Sequence, residues 1–164
     1  MIILTRVDDR LVHGQLLGAW VPYVGAEMIL VVSDKGSDKN FSSCVNSVCA
    51  EYGIRVALRS VAEAIEELKA DAYKDVKTIL VIRELSDAMK LFDAGFKFEK
   101  LNIGNIHHKH NGDGRELTRS VILNTEDDEI VEHLSDEGVE VEIRDLPSRE
   151  PTPYYKRERS DSNE

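Results

Sequence analysis

Short aliphatic runs alternate along this chain with longer stretches whose apolar positions recur every three or four residues. The runs cover residues 2–7, 28–32, 54–58, 78–82, 101–103, 121–123 and 139–143, seven in all. Their wealth of Ile, Val and Leu fits strands covered on both faces. Between them, Leu11, Leu16, Leu17 and Trp20 follow near-helical spacing, as do Val61, Ala64, Ile65 and Leu68. Residues 86–94 carry Met89, Leu91 and Phe92 and stop at Gly95, a suitable C-cap. Thr125 with Asp128 three residues on matches a capping box, and that helix ends before Gly138. Such regular alternation predicts an α/β fold: an open, mostly parallel seven-stranded sheet with helices on both faces.

Two segments break the rhythm. Residues 104–115, GNIHHKHNGDGR, form a Gly, Asn and His loop with no periodic face. Beyond Pro147 the chain turns polar and ends KRERSDSNE. We therefore expect a single domain over residues 1–147 and a flexible polar tail over 148–164. The 164 residues, 41% of them hydrophobic, suffice for one core without staples.

Charge narrows the function classes. With 21 Lys and Arg against 31 Asp and Glu, the net charge is −10, which disfavours nucleic acid and anionic lipid as partners. No apolar run is long enough to span a bilayer. The opening Met-Ile-Ile-Leu-Thr-Arg lacks the form of a signal peptide, and Cys44 and Cys49 make no disulfide framework. A cytoplasmic protein is expected.

Candidate chemistry gathers after the first strand, where Asp8, Asp9, Arg10 and His13 precede a helix. In open parallel sheets the carboxyl ends of strands are where ligands bind. A helix start and an arginine suit a phosphate. Neutral imidazole is a nucleophile near pH 7, a carboxylate such as Asp8 or Asp9 can fix its tautomer, and Gly14 lets backbone approach a phosphate closely. A histidine that accepts and passes on a phosphoryl group uses all of these parts. The residues alone fit equally well a surface ion pair of Asp9 and Arg10 beside a helix-start histidine.

The run DDRLVHGQ after an opening strand, with Trp20 shortly beyond, resembles the enzyme IIB subunits of the mannose/fructose/sorbose class. These belong to the bacterial phosphoenolpyruvate-dependent sugar phosphotransferase system (PTS). Phe92-Asp-Ala-Gly95 with Leu101-Asn-Ile-Gly104, and Gly138-Val-Glu-Val-Glu-Ile-Arg144 with Pro147, extend the likeness over residues 1–147. The resemblance implies an open seven-stranded sheet, parallel except at one edge. It also implies a protein-Nπ-phosphohistidine–sugar phosphotransferase subunit with no cofactor and no metal. His13 then takes a phosphoryl group from enzyme IIA and passes it to sugar held by membrane IIC and IID subunits. Arg10 stabilises the phosphate and Asp9 orients and balances charge, while Asp8, Gly14 and Gln15 support them. An assembly of identical subunits is left open.

Departures and rivals bear on this expectation. Asn105 stands where the family usually has a second glycine, and His107, His108 and His110 stand where Lys, Gly and Ser are more usual. Ser33-Asp34-Lys35 replaces paired acids. These changes keep an alternative in play: a regulatory phosphohistidine protein of the same fold that signals to a partner. A receiver domain needs an acid ending the third strand, where Leu58-Arg59-Ser60 stands. A metal held by the three loop histidines with Asp113 and Glu116 is weakly supported beside a solvated polar loop. Trp20 fits a partner contact and a core position equally. No glycine-rich nucleotide signature is present.

Overall fold

The computed structural model describes residues 1–35, 39–107 and 112–158. Five parallel strands form its centre: β1 (Ile2–Asp8), β2 (Met28–Val32), β3 (Arg55–Arg59), β4 (Thr78–Ile82) and β5 (Lys100–His107). They lie in the order β3-β2-β4-β1-β5. On its outer edge β5 pairs in parallel with two strands. Its first half meets β8 (Glu140–Ile143), and its last residues meet β7 (Val121–Leu123). Two antiparallel strands complete nine: β6 (Arg115–Thr118) beside β7, and β9 (Thr152–Pro153) beside β8.

Side chains alternate across the sheet and build a core on each face. Leu30, Val32, Leu80, Ile82, Leu101 and Ile103 face α3 (Val61–Lys69), α4 (Leu85–Asp93) and α5 (Thr125–Asp136). Ile29, Val31, Ile79 and Val81 face the opposite way. That side is covered by α2 (Lys39–Glu51) and by the segment after β1, a π-helical turn Leu16–Trp20 that runs into α1 (Val21–Val24). In the middle of the sheet β1 and β4 are neighbours, and their connections leave in opposite directions. Such a switch point opens a crevice at the carboxyl edge.

Four expectations are corrected. Among the described residues the sheet has nine strands, the two extra ones, β6 and β9, being short and polar with no aliphatic run. The helix expected to start at Thr125 is capped one residue earlier, by Asn124 with Asp127, a pair that also satisfies the capping geometry. Residues 104–107 of the expected loop continue β5, and residues 115–118 form β6. The chain after Pro147, expected to be flexible, returns as β9; Tyr154 then donates to the Asp128 carboxylate at 3.0 Å. Its backbone pairing and this buried acid outweigh the polar composition. No helix among the described residues is long and apolar enough to cross a membrane.

Candidate functional site

Leu4, Arg6 and Asp8 share one face of β1 because strand side chains alternate. Leu4 joins the aliphatic core on that face, but Arg6 and Asp8 are charged and buried completely. Arg6 stands opposite Asn102 of β5, which stands opposite Glu142 of β8. The three form a polar row across the sheet. The Arg6 Nη1 donates to Asn102 Oδ1, and Asn102 Nδ2 donates to Glu142 Oε1 at 3.1 Å. Between Val7 and Asp8 the register slips by one residue, so Gly104 is extra in β5. A Cβ on Gly104 would overlap the Arg6 guanidinium. On its other side Arg6 lies 4.9 Å from the centre of the Trp20 ring.

The turn after β1 arranges the exposed part of the site. Leu11 donates its N–H to the Asp8 carbonyl at 3.0 Å and adopts φ +57°, a costly conformation for a branched side chain. Its side chain is buried in the core beneath, which compensates the strain. This leaves Arg10 at the surface and His13 at the rim. Asp8 Oδ2 accepts from Arg6 Nη2 at 2.9 Å and Arg10 Nη2 at 2.9 Å, and it lies 3.0 Å from His13 Nε2. Asp8 Oδ1 accepts from Arg10 Nε at 3.0 Å and from its backbone N–H at 3.1 Å. Gln15 Oε1 accepts from Arg10 Nη1 at 3.0 Å. A Cβ added at Gly14 meets nothing within 4 Å, so the space above the helix start is open.

Burial alone would raise the Asp8 carboxyl. The hydrogen bonds from His13 and Arg10 and the Arg6 charge outweigh it, holding the group well below the usual carboxylate range. Burial pulls the Arg6 guanidinium below its ordinary value, and Asp8 counters that pull. An ionised carboxylate only accepts hydrogen bonds, so in the neutral imidazole of His13 it is Nε2 that carries the ring hydrogen and Nδ1 that keeps the lone pair.

Of the expected site residues, the geometry brings together Asp8, Arg10, His13 and Gln15. Asp9 departs from its expected role. It turns away, its Oδ1 accepting from Asn105 Nδ2 at 2.5 Å and its Oδ2 from the His107 N–H at 2.9 Å. Asp8 touches His13 instead, since consecutive residues at a strand end face opposite sides. Trp20 is a core residue whose Nε1 donates to the Asp145 carbonyl at 2.8 Å. Asp34 caps the first N–H of α3 at 2.9 Å, and Lys35 pairs with Glu84 at 2.6 Å. His107 lies between Asn105 Nδ2 at 3.2 Å and the Arg119 carbonyl at 2.9 Å. His108 and His110, named above as possible metal ligands, fall outside the described residues; among those described, no group of three or more His, Cys, Asp or Glu is placed to hold a metal. Sequence reasoning missed Arg6, Asn102 and the fit of Gly104. A charged pair two apart in an aliphatic strand was the available signal for Arg6.

The family model "PTS system sorbose subfamily IIB component" matches residues 2–159. The chain is 31% identical over 147 residues to the PTS system fructose-specific EIIB component of Bacillus subtilis, covering 90% of this chain and 89% of that protein. The crystal structure of the PTS N-acetylgalactosamine-specific IIB component 1 from Escherichia coli superposes with a TM-score of 0.85 at 26% identity. It covers 94% of this chain and 100% of the other. The PTS system mannose-specific EIIAB component of Escherichia coli is 26% identical over 144 residues, 88% of this chain and 44% of that longer protein.

Proposed function

Because the chain belongs to the sorbose-subfamily IIB components of the PTS, we propose that it carries a phosphoryl group on His13 from an enzyme IIA domain to sugar bound by membrane IIC and IID subunits. The observation that carries the reading is the Asp8 carboxylate at 3.0 Å from His13 Nε2. It favours the tautomer in which Nε2 carries the hydrogen and Nδ1 is the nucleophile. Arg10, half anchored by Asp8 and about one-third exposed, is within the same turn and supplies a cation for the phosphate. A relative whose name joins IIA and IIB supports an IIA domain as the donor.

The transfer runs in line. The Nδ1 lone pair forms the new N–P bond as the donor's N–P bond breaks, and the donor histidine recovers its lone pair. The ring hydrogen stays on Nε2 and is donated to the Asp8 carboxylate throughout, so the product is a neutral-ring phosphohistidine with its far nitrogen still hydrogen-bonded. Asp8, Arg10 and the open space above Gly14 contribute orientation and charge, the effects that dominate phosphoryl transfer. In onward transfer the sugar oxygen forms the new O–P bond as the Nδ1–P bond breaks, Nδ1 recovers its lone pair, and the hydroxyl proton passes to water.

The test is incubation with a phosphorylated IIA domain. We expect an acid-labile mass gain of one phosphoryl group on the peptide bearing His13, and none in His13→Ala with an unchanged circular-dichroism spectrum. Label retained in that variant moves the chemistry elsewhere. Adding membranes that contain IIC and IID then separates the two destinations. Phosphorylated sugar marks the transport role, and a stable phosphoprotein marks the regulatory alternative.

A further inference from the structure

Two arginines share the Asp8 carboxylate, yet their settings differ. The Arg6 side chain is fully buried, whereas that of Arg10 is 35% exposed. Arg6 has nowhere to go: the Trp20 ring lies on one side and the Gly104 backbone on the other. Its Nη1 donates to Asn102 and to the Arg144 carbonyl at 3.0 Å, and its Nη2 donates to Asp8 and to the Asp145 carbonyl at 3.2 Å. Among the described residues, Arg10 is held by Asp8 and the exposed Gln15. Were Arg10 the sole cation, moving it to a phosphate would strand a buried carboxylate, a costly event.

We propose that Arg6 is a positioning residue for phosphoryl transfer: clamped between Trp20 and Gly104, it holds Asp8 from inside, so that Arg10 can leave that carboxylate for the incoming phosphoryl group while His13 keeps its reactive tautomer. The proposal rests on His13 as the acceptor. Arg6 itself never reaches the phosphate. Lysine cannot replace it, since one ammonium cannot span Asn102, Asp8 and two carbonyls with a planar fork.

The experiment has two readouts, one independent of phosphoryl transfer. Nitrogen-15 spectra of the unphosphorylated protein report the His13 tautomer, and rapid-quench kinetics with a phosphorylated IIA domain report the rate. Arg6→Ala is expected to show both tautomers and a rate about a hundredfold lower, the scale of loss for a slightly misplaced reacting group. The donor concentration for half-maximal rate stays unchanged, and millimolar methylguanidinium restores part of the rate where tetramethylammonium does not. Should Arg6→Ala fail to fold, Gly104→Ala carries the test, because its Cβ displaces the guanidinium with every charge retained; the same mixture and loss are expected. A parental spectrum and rate in a folded variant overturn the proposal. If the parent protein itself accepts no phosphoryl group, the functional reading fails, and the tautomer spectra alone decide whether Arg6 positions His13.

Discussion

Asp8 and Asp128 are both buried carboxylates gripped by an arginine that stacks on an aromatic ring. Arg6 over Trp20 serves the first, and Arg115 over Tyr154, at 5.4 Å, serves the second. At Asp128 the hydrogen-bond donors close the cluster, with the exposed Arg157 a looser ion pair at 3.9 Å. Arg115 donates through Nε at 3.1 Å and through Nη2, Tyr154 donates its hydroxyl, and Arg115 also reaches the Tyr155 carbonyl. At Asp8 the third partner is an imidazole at the rim whose other nitrogen keeps its lone pair. The same building block therefore makes a rivet in one place and, in the proposed function, the base of a reactive group in the other. An arginine, acid and ring together say nothing of chemistry until a nucleophile with an unused valence joins them.

The sharpest break of this comparison is Asp8→Ala. It should abolish measurable phosphoryl acceptance and also destabilise by about 3–5 kcal/mol, since Arg6 is left buried without its counter-charge; urea unfolding and the phosphoryl assay read the two losses separately. Asp128→Ala should cost about 3 kcal/mol in the same unfolding assay yet leave the acceptance rate within about twofold. A large rate loss there would erase the distinction between the clusters. Acid titration comes next. Because the native Asp8 carboxyl lies below its unfolded value of about 3.9, its stabilisation is complete above that pH and is lost as pH falls further toward the native value. Urea midpoints between about pH 5 and pH 2 should thus decline more steeply for the parent protein than for Asp8→Asn. The smallest effect belongs to Tyr154→Phe, which removes one hydroxyl from Asp128. A loss of about 1 kcal/mol is expected, with no change in transfer.

How much of this was legible in the sequence depends on the kind of signal each element carries. The seven aliphatic strands announced themselves because parallel strands buried on both faces need continuous Ile, Val and Leu. β6, with Arg115 and Glu116, and β9, with Pro153, bury too little apolar surface to leave such a trace. The α5 cap slipped by one because Asn124–Asp127 and Thr125–Asp128 satisfy the same spacing, and only the backbone geometry at Asn124 selects between them. At the site, DDRLVHGQ marked the place but not the division of labour. Asp8 and Asp9 are chemically identical, and which one meets His13 is settled by strand parity together with the extra residue at Gly104. Arg6 was hidden for a related reason. Its partners Asn102, Arg144 and Asp145 lie about 96 to 139 positions away, so no local pattern links them.

The two-residue strand β9 has a consequence for how copies of this protein meet one another. Without it, the outer side of β8 would be a bare row of backbone donors and acceptors, a template for any extended segment that arrives, including the same strand of another molecule. β9 occupies that row through Ile143 with Thr152 and Glu142 with Pro153, and its own outer side is too short, and too poor in N–H groups at the proline, to recruit a successor. Lys156, salt-bridged to Asp136 at 2.6 Å, fastens the segment just beyond. The last stretch of chain thus works as a stopper. Shortened to residue 150, the protein would keep its candidate site and gain an adhesive flank, a route to filaments and precipitates from which the chain carrying β9 is shielded.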